Sequence, residues 1–157
     1  KVIPIHKKGP KDQCSNYRPI SIIPVVSKVL ERLVHAQIVP FLENNSLFSE
    51  GQFGFRPNHS TVKAVMSLVE DCYEGLEDRR SVVFRSFDMS KAFDTVDHDI
   101  LADMLRYYFS DISTVNFFKS YLSKRFQAVY SNGSFSKTLL VNHGVPQGSI
   151  LGPTLFI

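Results

Sequence analysis

Asp88 and Phe93, five residues apart in FDMSKAFDTVDH (Phe87 to His98), are the side chains whose types and spacing point most directly to chemistry. Asp88 follows the apolar residues Val82, Val83, Phe84 and Phe87, which place a carboxylate at a strand end. There it can bind a hard cation such as Mg²⁺, which takes one or two carboxylate oxygens and completes its octahedron with water and substrate phosphate. The Phe93 ring can form a floor under a sugar. It offers no partner to a ribose 2′-hydroxyl, and leaving that hydroxyl unbonded costs about 1 to 3 kcal/mol, so a deoxynucleotide is favoured. Metal-assisted transfer of a nucleotide is the chemistry this pair suits. Arg18 precedes Pro19, which biases it to an extended backbone and presents a planar guanidinium fork suited to phosphate. Gly144, Pro146 and Gly148 surround Gln147 with turn formers, so this segment reads as a specified loop and not a linker.

Helices and one hairpin must position these residues. Ile100, Leu101, Met104, Leu105 and Tyr108 recur at helical spacing, predicting a helix from about Asp99 to Tyr108 with Asp97 or Asp99 as its cap. Asp97, Asp99 and Asp103 are assigned to that helix and its dipole, not to chemistry, and Asp94 is left open. Val26, Val29, Leu30, Leu33 and Val34 form another helical stripe, with Ser27 as a cap and Pro40 bending or ending the helix. Val62, Val65, Val69, Cys72 and Leu76 predict a helix after Ser60, and Val115, Phe118 and Leu122 predict one more. Asn132-Gly133 between Phe126 to Tyr130 and Lys137 to Val141 is a hairpin signal, and the hairpin delivers the chain to the Gln147 turn.

Composition fits one mixed domain of 157 residues with 43% hydrophobic residues, enough to bury a core. The net charge of +3 is uneven. Lys1, Lys7, Lys8, Lys11 and Arg18 face only Asp12 at the N-terminal end. Lys119, Lys124, Arg125 and Lys137 have no acid among residues 112–157, so the middle is net acidic. Basic rims around an acidic floor suit a nucleic-acid cleft. Pro24, Ser27 and Lys28 interrupt the longest apolar stretch, so no membrane partner is expected. Cys14 and Cys72 lack metal-ligand spacing and are read as reduced thiols.

Four segments occur in a telling order: SNYRPISIIP at Ser15 to Pro24, QFGFRPNHST at Gln52 to Thr61, FDMSKAFDTVDH, and GVPQGSILGP at Gly144 to Pro153. Together they resemble the reverse transcriptase of a non-LTR retrotransposon of the LINE or jockey-like kind, over essentially the whole chain. The resemblance implies an α+β fold, a right-hand polymerase with residues 1–80 as fingers and 81–157 as palm, stopping before the Asp-Asp hairpin and the thumb. It implies an RNA template, a DNA primer and dNTPs as partners, together with the rest of a retrotransposon polyprotein, in nucleus and cytoplasm.

Site roles follow by the same resemblance. Asp88 matches the ligand of two catalytic Mg²⁺ ions, assisted by the Met89 carbonyl. Phe93 matches the steric gate against ribonucleotides. Arg18, with Lys7 or Lys8, matches the triphosphate contacts from the fingers. Gln147 matches the contact to the nucleotide sugar, Gly148 the close backbone approach, and Arg56 the template phosphate contact. Because the chain starts without Met and stops at Ile157 in an apolar run, it is expected to be part of a longer polymerase and inactive alone. Arg85 and Ser86 in the strand before Asp88, Asn58 and His59, and Asn142 and His143 depart from the family pattern. The alternatives are a catalytically dead RNA-binding remnant, a group II intron-type reverse transcriptase, and an RNA-templated RNA polymerase, against which Phe93 argues.

Overall fold

The computed structural model describes residues 1–157 and mixes helices with short antiparallel strands, as the α+β expectation requires. Strands β1 (Val2–His6) and β2 (Tyr17–Ser21) pair antiparallel, with Val2 opposite Ser21 and His6 opposite Tyr17. Their connection carries Lys7 and Lys8 and is closed by the Lys7 N–H donating to the Asn16 carbonyl at 2.8 Å.

Helix α1 (Val25–Asn44) starts after Pro24 and runs through Pro40, so Ser27 is not its cap and Pro40 does not end it. Proline removes one helical donor, but Pro40 lies on the exposed side, where water can serve the freed Ala36 carbonyl. Buried Val39 and Leu42 hold the turns around it. The predicted stripe is also turned out: Val26, Val29, Leu30 and Leu33 are exposed, whereas Glu31, Val39 and Leu42 are buried. Helix α2 (Thr61–Glu77) is capped as expected, the Ser60 hydroxyl accepting from the Lys63 N–H. Its stripe, Val62, Val65, Val69 and Leu76, likewise faces solvent.

The strand expected to end in Asp88 does not form. Residues 81–89 lack regular structure and are exposed. A strand is stable only when its N–H and C=O groups find a ladder, and no other segment of the chain pairs with this one. Alternation of apolar residues supplies a face but not a partner.

The remaining elements follow local chemistry. After a single 3-10 turn at Ala92–Asp94 comes α3 (His98–Tyr108), whose cap Asp97 accepts from the Asp99 and Ile100 N–H groups. Asp111 caps α4 (Ile112–Leu122) in the same way through Ser113 and Thr114. Asn132 and Gly133, at φ 50° and 81°, form the predicted turn. Strands β4 (Tyr130–Ser131) and β5 (Ser134–Phe135) pair across it, and β3 (Arg125–Gln127) pairs with β6 (Leu139–Val141) further out. Helix α5 (Leu151–Phe156) closes the chain. One core holds α3, α4, α5 and the Gln147 turn together: Leu101, Leu105, Val115, Phe118, Leu122, Val145, Leu151 and Leu155.

Candidate functional site

The turn Gly144–Gly148 is fastened on both sides, and this fastening builds the site. On one side the Gly144 N–H donates to the Val96 carbonyl at 2.7 Å and the Val145 N–H to the Phe93 carbonyl at 2.8 Å. His98 Nε2 donates back to the Gly144 carbonyl at 2.8 Å. On the other side the Ser21 N–H donates to the Gln147 carbonyl at 2.8 Å. Three of the four sequence segments thereby meet at a single turn.

Glycine is required at the first edge of this turn. Gly144 has φ +84°, and a Cβ there would stand 2.8 Å from the Asp94 Cα and 2.9 Å from the Phe93 carbonyl oxygen. Gly148, at φ +103°, lies as close to β2: its Cβ would stand 3.0 Å from the Ser21 carbonyl oxygen. Val145, buried in the core between them, anchors the turn from below.

Gln147 is half-buried and its Nε2 donates to Asp94 Oδ1 at 3.0 Å. Both residues line a cleft of about 600 Å³, together with Ser21, Lys91, Tyr121 and Arg125. Glu31, 3% exposed and on the wall of the same cleft, accepts from the Ile150 N–H at 2.6 Å and from the Tyr121 hydroxyl at 3.0 Å. A carboxylate at the start of α5 is favoured by the unpaired N–H groups there, and it ties α1 to the chain just after the turn. Burial pushes the Tyr121 phenol up to about 12, with the nearby Glu31 charge adding to it, so the hydroxyl stays a donor. The Arg125 guanidinium lies over the Tyr121 ring, 5.1 Å from its centre.

The sequence-predicted residues are distributed unevenly around this turn. Gln147 and Gly148 are in it. Phe93 is half-buried beside it, its backbone bonded to the turn and its ring stacked on Phe156 at 4.7 Å and edge-on to Phe55 at 5.9 Å. Arg18 is exposed on β2, three residues before Ser21, and makes no side-chain hydrogen bond; Lys7 and Lys8 are exposed in the loop at the far end of the same hairpin. Asp88 and Met89 are exposed in the irregular stretch and do not line the cleft.

Arg56 is placed differently from its expectation. Its Nε and Nη2 bond both Glu43 carboxylate oxygens, at 3.0 and 2.7 Å, and its Nη1 donates to the Ser49 and Gln52 carbonyls at 2.8 and 3.3 Å. The side chain is only 10% exposed. A guanidinium whose fork is filled by a carboxylate has little left for a phosphate, so Arg56 organises the loop between α1 and α2.

Sequence leaves Asp94 open and does not single out Glu31. Asp94 carried one usable signal, its adjacency to Phe93. Glu31 carried none, since its partners lie 90 and 119 residues away.

A family-type metal site needs several convergent oxygens. No group of three or more His, Cys, Asp or Glu residues gathers in the structure, and Asp94 is engaged by Gln147. Asp88, exposed and unpaired beside the Met89 carbonyl, can supply one part of a coordination shell and no more.

Comparison with known proteins adds the family. The family described as "Reverse transcriptase (RNA-dependent DNA polymerase)" matches residues 5–157. The chain is 37% identical to the "Probable RNA-directed DNA polymerase from transposon X-element" of Drosophila melanogaster, across 97% of its own length and 17% of that protein's. It is 35% identical to the "Probable RNA-directed DNA polymerase from transposon BS" of the same organism, across 99% and 17%. The "RNA-directed DNA polymerase from mobile element jockey" of that fly is 34% identical, again across 99% and 17%. The chain thus spans about a sixth of the length of these relatives.

Proposed function

The chain belongs to the reverse transcriptase (RNA-dependent DNA polymerase) family, in the company of the jockey-like non-LTR elements, and from that premise we propose that it forms the incoming-nucleotide side of an RNA-directed DNA polymerase. The whole polymerase adds dNTPs to a primer 3′-hydroxyl on an RNA template, releasing pyrophosphate. The observation that supports this most is the fastening of the Gln147 turn to Phe93, Val96 and Ser21, which joins three of the four motif segments at one turn.

Within that reading residues 1–80 act as fingers and 81–157 as the start of the palm. Arg18, exposed and free of partners, takes the triphosphate with help from Lys7 or Lys8. The sugar rests between Phe93 and Gln147, and the Gly148 backbone allows close approach. Phe93, braced by Phe156 and Phe55, is stiff enough to refuse a 2′-hydroxyl. Asp88, with the Met89 carbonyl, contributes to holding magnesium, which supplies activation of the primer hydroxyl and neutralises charge on the leaving group. Its further ligands come from outside these residues, and for that reason the 157-residue chain alone is inactive.

Primer extension tests the reading. A longer polymerase containing this chain is expected to extend a DNA primer on an RNA template with dNTPs, whereas the 157 residues alone do not. RNA retained with a steep salt dependence, but never copied by the longer protein, would replace the polymerase with an RNA-binding remnant.

A further inference from the structure

We propose that Asp94 is a positioning residue: it fixes which way the Gln147 amide points and thereby makes the site demand a hydroxyl donor on the sugar. The proposal rests on the polymerase reading for its substrate and on the Gln147–Asp94 contact for its geometry.

An amide has two ends of similar size and opposite hydrogen-bonding character. Whichever end meets a carboxylate must be the donor, because an ionised carboxylate only accepts. The Gln147 Nε2 donates to Asp94 Oδ1 at 3.0 Å, so Oε1 is the end left over, and it has no partner within the protein. Both residues line the same cleft. The Asp94 backbone is held in place: its N–H is bonded to the Lys91 carbonyl at 2.8 Å, and Gly144 packs against its Cα. The Gln147 backbone is held as well, its carbonyl accepting from the Ser21 N–H.

The free Oε1 is an acceptor that water can reach, on a half-buried residue, and a nucleotide seated against it must bring a donor in place of that water. A deoxynucleotide sugar carries one hydroxyl, the 3′-hydroxyl. A nucleotide lacking it would leave Oε1 unpaired. Asp94 therefore acts through Gln147 as a determinant of sugar specificity, without touching the nucleotide.

Two measurements test this. In the 157-residue chain, the Gln147 side-chain amide protons should exchange slowly with solvent by NMR, and Asp94→Ala should release them while backbone resonances of α3 and α4 stay in place. In the longer polymerase, the wild type should prefer a deoxynucleotide over its 2′,3′-dideoxy counterpart. Asp94→Asn, which can bond either end of the amide, and Asp94→Ala, which can bond neither, should shrink that preference by about tenfold, chiefly through the KM of the deoxynucleotide. A role confined to structure would lower both nucleotides together and leave the ratio unchanged, and that result overturns the proposal. Fast-exchanging Gln147 amide protons in the wild type would overturn it as well. Failure of the wild-type longer protein to copy RNA would sink the polymerase reading and the hydroxyl demand with it, while the amide protons separately decide whether Asp94 holds Gln147.

Discussion

Asp88→Ala in the longer polymerase is expected to lower RNA-templated synthesis by about a thousandfold or more while leaving RNA binding and the melting temperature unchanged. The size follows from what a bound metal supplies in the transition state, several kcal/mol at about 1.4 kcal/mol per tenfold in rate. The selectivity of the effect follows from the structure. Asp88 is exposed, bonds nothing and lies in a stretch without regular structure, so removing its carboxylate takes nothing from the fold. Steady-state extension rates, filter binding and thermal unfolding read the three quantities separately. Near-wild-type synthesis by the variant would remove Asp88 from the chemistry.

Gly144→Ala is expected to cost about 3 to 5 kcal/mol of stability in urea unfolding of the 157-residue chain. The added methyl would press on the Asp94 Cα and the Phe93 carbonyl oxygen, backbone atoms that cannot give way separately from the chain they belong to. The left-handed backbone adds about 1 to 2 kcal/mol of strain. Relief requires the turn to lift, breaking the bonds from Gly144 to Val96 and from Val145 to Phe93 and pulling Val145 from the core. Gly133→Ala is the internal comparison, because Gly133 has a similar φ, +81°, but open space around its Cβ position. It should cost only the backbone strain. Equal losses at the two glycines would mean that the turn is not held against Phe93 and Asp94 as described.

What the sequence disclosed was mostly what short-range chemistry decides. Ser60 and Asp97 cap helices because a side-chain oxygen reaches an N–H two or three residues ahead, and Asn132-Gly133 turns because both residues accept positive φ. What depended on distant partners was hidden. The stripe of α1 reads as a core face, yet that face stays exposed while a glutamate beside it is buried by Tyr121 and Ile150. Residues 82–87 have the composition of a strand and no ladder to join. Pro40 fails to break α1 because the helix is held by Val39 and Leu42, contacts that propensity does not include.

The site shows the same division. Motif order pointed to Gln147, Phe93 and Arg18, and the reverse transcriptase match across residues 5–157 agrees with the family those motifs suggested. The partners of the motif residues were not legible. Asp94 could be read as a loop acid until the hydrogen bond from Gln147, 53 residues away, gave it a position. Arg56 reads as a free phosphate ligand until Glu43 is seen filling its fork.

The proposed seat for the sugar of an incoming deoxynucleotide is Phe93, beside the Gln147 turn. It is tested most directly by the sugar selectivity of the longer polymerase with Phe93→Val, measured as the ratio of kcat/KM for a dNTP to that for the matching rNTP on one RNA template. Shortening the ring should admit the 2′-hydroxyl and lower that ratio by about tenfold or more. An unchanged ratio, in a variant that still folds and still extends the primer, would mean that Phe93 does not meet the sugar.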